Sequence, residues 1–197
     1  MRRRFRFAVV ALAALIGCSC LSRSTGTSLP PIPRAELRLA ADATDILDRA
    51  RKLMLADGNV ALVTVDDSGQ PRVRTVRAFV DPVDPNNPAS GVTVWIMTRF
   101  TTRKVDQIRQ HQQVALYFND DAQESYASIM GVATVHTDPG HAGAKRHYDE
   151  GIAKFFWPDF PRDFVMLEVK PRWIEFIGPG VPNDDRTWRP QAVVFEP

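Results

Sequence analysis

Cysteine is almost missing from this chain. Cys18 and Cys20 lie close to the N-terminus, and the rest of the 197 residues has none. The body of the protein therefore has no internal disulfide, no thiolate nucleophile and no cysteine-ligated zinc. Charge of one sign is missing too. Twenty-five Lys and Arg against 23 Asp and Glu leave a formal net charge of +2, which gives no electrostatic ground for nucleic-acid binding. The histidines His111, His136, His141 and His147 are scattered and do not fall at a metal spacing such as His-x-x-x-His, so no metal is expected. Gly-x-Ser-x-Gly, a glycine-rich phosphate loop and Gly-x-Gly-x-x-Gly are all missing as well. These absences argue against nucleophile-elbow hydrolases, P-loop NTPases and Rossmann dinucleotide binders. Asp120, Asp121 and Glu124 read as a solvated loop rather than as an acid/base pair.

What is present begins with a segment that does not read as part of the fold. Arg2, Arg3, Arg4 and Arg6 form a basic region, and Phe7 to Ile16, "FAVVALAALI", forms a short apolar one. The run is well short of the roughly 20 residues a membrane-spanning helix needs, so it reads as an export signal. Leu15-Ile16-Gly17-Cys18 resembles the lipobox of bacterial lipoproteins, which makes Cys18 the expected lipidation site and 1–18 a lipoprotein-type signal peptide. Residues 19–34, rich in Ser, Thr, Gly and Pro, read as a flexible tether. The expected location is outside the cytoplasm, anchored to a bacterial membrane on the periplasmic side or at the cell surface.

Residues 35–180 read as one domain and 181–197 as a C-terminal tail. With 44% apolar residues, the chain has enough for an ordinary core. Ala35 to Asp57 carries Leu39, Ala43, Ile46, Leu47, Ala50, Leu53 and Met54 at helical spacing, and Gly58 is the stop. Asn59–Val65 and Pro71–Val80 read as a hairpin around Asp66-Asp67-Ser68-Gly69. Val92–Thr98 is a third strand, Thr102–Gln113 a short helix, and Val114–Phe118 and Tyr126–His136 two further strands. Pro139–Phe156 reads as helical, and Phe164–Val169 with Trp173–Ile177 as a final strand pair or one strand broken at Pro171. Phe155, Phe156, Trp157, Phe160 and Phe164 form an aromatic cluster, read as a core plug over the barrel, or else as a pocket wall or a contact between copies. Hairpin links outnumber helical crossovers, so the fold class is mainly β: an antiparallel sheet curled into a barrel, with helices at its rim.

One turn stands out. Thr98-Arg99-Phe100-Thr101-Thr102-Arg103-Lys104 puts three cations and three hydroxyls between a strand and a helix, with no Gly, Asn, Asp or Pro. A phosphate calls for guanidinium, ammonium, hydroxyl donors and free N–H groups at a helix start. Thr98, Thr102, Arg103 and Lys104 supply these, with Thr102 as the expected N-cap. On the hairpin's return strand, Arg72 and Arg74 share one face and Arg77 takes the other. A solvated basic edge strand that resists aggregation would carry the same cations.

These residues carry a family resemblance. "VRTVRAFV", "VWIMTRFTTRKVDQIRQHQQVALYF", "YASIMGVATV" and "LEVKPRWIEF" resemble the pyridoxamine 5′-phosphate oxidase-like family of flavin-binding split barrels, and its general stress protein branch most. The resemblance runs from about Ala50 to Ile177. It implies a six-stranded antiparallel split barrel, a homodimer and FMN at the dimer interface. It places Arg74, Thr75 and Val76 along the flavin and its phosphate. It places Thr98, Thr102, Arg103 and Lys104 around the phosphate, and Tyr126 near the flavin. The implied chemistry is that of an FMN-dependent oxidoreductase. A non-catalytic module for flavin, deazaflavin or haem is the alternative. The arginine-rich C-terminal motif that holds pyridoxal phosphate in the true oxidases is not reproduced in "GPGVPNDDRTWRPQAVVFEP", although Arg186 and Arg189 are present.

Overall fold

The hairpin read from Asp66-Asp67-Ser68-Gly69 forms as the sequence dictates. In this computed structural model, β1 (Asn59–Val65) and β2 (Pro71–Arg77) pair antiparallel, with Leu62 opposite Arg74 and Val65 opposite Pro71. Asp66 builds the turn. Its Oδ1 accepts from the Ser68 and Gln70 N–H groups at 3.0 and 2.9 Å, its Oδ2 accepts from Arg72 Nε at 2.7 Å, and Gly69 takes φ +80. The structure describes residues 43–56, 58–87, 89–138, 141–147, 151, 162–181 and 190–195. The expected signal, the tether and Cys18 lie outside them. So do Phe155, Phe156, Trp157, Phe160, Arg186 and Arg189, and most of the expected helix 139–156.

The other elements follow in chain order: β3 (Phe79–Val80), β4 (Val94–Arg99), β5 (Gln113–Asp120), β6 (Ser125–His136), β7 (Phe164–Ile177) and β8 (Gln191–Val194), with helices α1 (Ala43–Ala56), α2 (Arg103–Gln110) and α3 (Ala142–His147). Among the described residues, no helix is long and apolar enough to cross a membrane. The α1 stripe Ile46, Leu47, Ala50, Leu53 and Met54 is buried, each large side chain contributing roughly 1.5–3 kcal/mol over exposure. Helix α2 ends earlier than expected, because Gln113 opens β5. Asp120 accepts from the Ala122 and Gln123 N–H groups and caps a short 3-10 turn, and Glu124 after it takes φ 47.

The sheet order is β2-β1-β5-β6-β7-β4-β3, with β8 added to β7. The two ends of that order, β2 and β3, are consecutive in the chain and separated only by Ala78, so the sheet returns on itself. The closure is short. β3 pairs β4 only over Phe79–Trp95 and Val80–Val94. Beyond it, the edges of β2 and β4 approach without sharing a ladder. The barrel is split along that line, and its core of Leu62, Val94, Ile96, Leu116, Ile129, Leu167 and Ile174 lies inside.

Two features depart from the sequence reading. Eight strands are described rather than six, and the extra one at the C-terminus, β8, lies in the stretch read as a tail. β7 is one strand, not broken at Pro171. β4 pairs with Phe164–Val169 and β8 with Trp173–Phe176. Pro171 falls in the interval between them, where its missing N–H costs no ladder bond on that edge. Across from it stands Gly131, at a register shift in the β6–β7 ladder. A Cβ on Gly131 would come within 2.4 Å of the Lys170 carbonyl oxygen, so only glycine admits this approach. Phe164 packs with Trp95 and Met166, on the face of the sheet opposite the barrel core.

Candidate functional site

Arg74 sits on the β2 edge of the split, pointing to the same side as its buried register partner Leu62. Two neutral groups hold it. NH1 donates to Thr64 Oγ1, and NH2 donates to Gln107 Oε1 at 2.9 Å. The Thr64 hydroxyl also donates to Gln107 Oε1, at 2.6 Å. The guanidinium is thereby fixed between β1 and α2 without a counterion. Thr64 and Gln107 escaped the sequence reading, although each left a signal. Thr64 is the one polar side chain on the inward face of "NVALVTV", and Gln107 lies one helical turn after Lys104.

The β4–α2 turn forms the other wall. Thr98 is 4% exposed on the inner side of β4, and its Oγ1 stands 3.5 Å from Thr102 Oγ1. Thr102 holds the N-cap position but does not act as the expected side-chain cap. Its hydroxyl donates to the Arg99 carbonyl at 2.9 Å and makes no cap bond to the first-turn N–H groups of α2. Arg103 and Lys104 follow at once.

The electrostatics are those of crowded positive charge. Burial, then the nearby charges of Arg103 and Arg72, hold the Arg74 guanidinium below its ordinary pKa. Burial, then Arg74, does the same to the Lys104 ammonium. Among the described residues, none of Arg74, Arg103 and Lys104 forms an ion pair, whereas Arg72 is paired with Asp66 at 2.7 Å. Partly buried cations crowded by like charge are stabilised by a multivalent oxyanion. The cradle lies along the gap between the β2 and β4 edges, and a cavity of about 180 Å³ borders it at Arg103 and Gln107, with Asp66, Asp67 and Asp106 also in its lining. Another cavity, about 490 Å³ between α1 and the β5–β6 turn, shares none of the cradle residues.

The structure brings Arg74, Thr98, Thr102, Arg103 and Lys104 around this one gap. It does not bring the other expected residues there. Val76 is buried in the core. Thr75 is exposed on the outer side of the sheet. Tyr126 also faces outward, its ring 5.4 Å from that of Tyr117. Burial, then the Glu175 charge, raises the Tyr126 phenol above its ordinary pKa. The outer face is apolar over a wide span. Val73, Val63, Ala115, Met130, Trp173 and Val194 stand in register across six strands, with Val73 66% and Met130 42% exposed. Among the described residues, no group of three or more His, Cys, Asp and Glu is arranged to hold a metal ion.

An antiparallel barrel split at one edge, with a cationic strand-to-helix turn beside the split, defines the class of protein. The comparisons give the family. The model of the pyridoxamine 5′-phosphate oxidase family matches residues 46–178, and the chain belongs to that family. Among solved structures it is similar to a protein related to general stress protein 26 from Clostridium acetobutylicum, with TM-score 0.58, 16% identity and coverage of 77% of this chain and 95% of that one. A pyridoxamine 5′-phosphate oxidase-related, FMN-binding protein from Nostoc punctiforme aligns with TM-score 0.50 and 18% identity, over 86% of this chain and all of that one. A heme binding protein from Mycobacterium smegmatis aligns with TM-score 0.52 and 15% identity, over 74% of this chain and 56% of that one. A comparison with curated proteins finds no match.

Proposed function

We propose that the protein binds FMN, with the flavin phosphate in the cradle of Arg74, Thr98, Thr102, Arg103 and Lys104, and that it is an exported flavoprotein oxidoreductase. The observation that carries this reading is the set of three converging cations without an anion, beside an uncapped helix start. A phosphate monoester dianion fits that donor set. Arg74 offers a guanidinium already oriented by Thr64 and Gln107. Thr98 and Thr102 offer hydroxyls, and α2 offers backbone N–H groups. When bound, FMN supplies hydride or electron transfer through its ring system. The chain's own part is to anchor the phosphate, fix the cofactor along the β2 edge and shield it.

The second half of the proposal is a homodimer that completes the cleft. Thr75 and Tyr126 lie on the outer face and reach a flavin anchored at the split only where another copy closes over that face. The apolar row from Val73 to Val194 is wide and nearly free of charge, which suits a two-fold, self-complementary contact. Cys18 is proposed as the lipid anchor, holding the barrel at an extracytoplasmic membrane surface through the 19–34 tether. Oxidation of pyridoxamine phosphate is left out of the proposal, because the tail lacks the arginine pattern noted above.

A visible spectrum of the purified full-length protein is the test. A two-banded yellow flavin spectrum, with release of FMN on denaturation, is expected. A Soret band would favour the haem-binding alternative. A deazaflavin spectrum, or a protein that stays colourless when FMN is added, would overturn the FMN assignment.

A further inference from the structure

The cradle is assembled from parts that lie far apart in the chain. Thr64 comes from β1, Arg74 from β2, Thr98 from β4, and Thr102, Arg103, Lys104 and Gln107 from the turn and α2. β4 is placed by its neighbours in the sheet. Its pairing with β3 is short, and its main ladder is with β7, from Val94–Val169 to Arg99–Phe164. β7 is held in turn by β6, through the irregular register at Gly131. The β4 wall of the cradle is therefore fixed only once the chain has folded as far as β7. No segment of the unfolded chain holds this set of groups together, because the pairings that gather them are non-local.

That topology bears on how an exported chain acquires a phosphorylated cofactor. FMN carries a phosphate that is ionised at neutral pH, and an ionised group does not pass unaided into hydrocarbon. A chain that crosses the membrane unfolded arrives without a cradle and must find its flavin outside. A chain that folds first, in the cytoplasm where FMN is made, crosses with the cofactor already held. Binding at a site that only the folded state possesses also stabilises that state.

The sequence carries an address that suits the second order of events. The basic region ahead of "FAVVALAALI" reads Arg2-Arg3-Arg4-Phe5-Arg6. Adjacent arginines before an apolar run mark the twin-arginine export signal of bacteria, which is read by a receptor. Phe5 stands where that signal has its aromatic residue, whereas Arg6 and Phe7 replace the apolar residue and lysine that usually follow. A guanidinium is a planar fork that meets a carboxylate through two bonds, and lysine of equal charge does not reproduce it. We infer that Arg2-Arg3 direct the chain to a translocation receptor that reads paired guanidiniums and passes folded proteins, so that FMN is captured in the cytoplasm and leaves in the cradle, a reading that rests on the FMN binding and export proposed above.

The test compares the full chain with Arg2→Lys/Arg3→Lys in a bacterium that has the twin-arginine route. The charge is unchanged and no two arginines remain adjacent, since Phe5 separates Arg4 from Arg6. Protein beyond the inner membrane, followed by immunoblot of cell fractions, should fall by about tenfold or more, as for a lost charge-assisted contact to the receptor. The retained cytoplasmic protein should release FMN on denaturation. Gly131→Val keeps the arginine pair but sets a Cβ 2.4 Å from the Lys170 carbonyl oxygen, which stops β6 and β7 from pairing; it should not be exported. Undiminished export of either variant overturns the inference. Wild-type protein confined to the cytoplasm would sink the export reading, and protein without flavin in every fraction the FMN reading; each result overturns this inference as well.

Discussion

Arg72 and Arg74 stand two residues apart on the same face of the same strand, and they are used in opposite ways. Arg72 closes onto Asp66 at 2.7 Å, and that carboxylate also takes the Ser68 and Gln70 N–H groups of the turn. Arg74 is held by the neutral oxygens of Thr64 and Gln107, with Arg103 and Lys104 adding positive charge nearby. The first cation is satisfied within the chain and serves the fold. The second is oriented and left without a counterion, which is where the proposed ligand's anion would sit. Charge composition cannot separate the two; the identity of each partner does.

The largest effect expected from this contrast is on cofactor affinity. A charge-assisted hydrogen bond is worth roughly 1.5–3 kcal/mol, so Arg74→Ala should weaken FMN binding by about ten- to a hundred-fold while leaving thermal stability almost unchanged. Arg72→Ala should do the reverse, lowering the melting temperature and keeping FMN affinity. Titration and thermal melts of both variants would erase the distinction if each variant lost both properties. Next in size is Gln107→Leu, which keeps the helix but removes the acceptor that orients Arg74. A net loss of roughly 0.5–1.5 kcal/mol corresponds to about a two- to tenfold weaker FMN dissociation constant. Unchanged affinity would show that Arg74 needs no such support.

Asp66 gives the pH test on the paired side. Its carboxyl is held well below the ordinary carboxylate range by the Ser68 hydroxyl first, then by the Gln70 N–H and Arg72. A depressed folded value means the stabilisation is complete at neutral pH. It is lost as pH falls below the unfolded value of about 3.9 and on through the folded one. Asp66→Asn should therefore be less stable at pH 7 and should lose less on acidification than the wild type; parallel acid limbs would contradict the assignment. The smallest effect is on the unliganded protein. Lys104→Met removes a half-buried cation from like-charged neighbours and should raise stability by about 0.5 kcal/mol. A clear loss would mean that Lys104 serves the fold after all.

The first hairpin was legible at its turn and at the strand starts, because a polar Asp-Asp-Ser-Gly turn between two alternating runs leaves one register; its return strand, read through to Val80, ends at Arg77, and Phe79–Val80 pairs with β4 instead. The cradle was legible at Thr98, Thr102, Arg103 and Lys104, since hydroxyls and cations at a strand-to-helix turn form a local pattern. Arg74 joins them through the β1–β2 register, which the turn also sets. Alternation along β2 puts Thr75 on the face opposite Arg74, so its place outside the cradle was also contained in the sequence. Non-local features were out of reach. Nothing in "QAVV" marks it as a strand until β7 offers an edge. Pro171 read as a breaker because Gly131, forty residues earlier, is what admits the irregular pairing. His136, His141 and His147 looked scattered because the sheet and α3 must form before Trp95 can gather them.

The central claim is that the cradle recognises phosphate rather than the flavin ring. The most direct measurement is the ratio of riboflavin to FMN dissociation constants in the wild type and in Arg74→Ala/Lys104→Ala. The account predicts a wild-type ratio well above ten, from the charge-assisted bonds that riboflavin cannot make. In the double variant the ratio should collapse toward one, with riboflavin affinity nearly unchanged. An equal ratio in both proteins would contradict it.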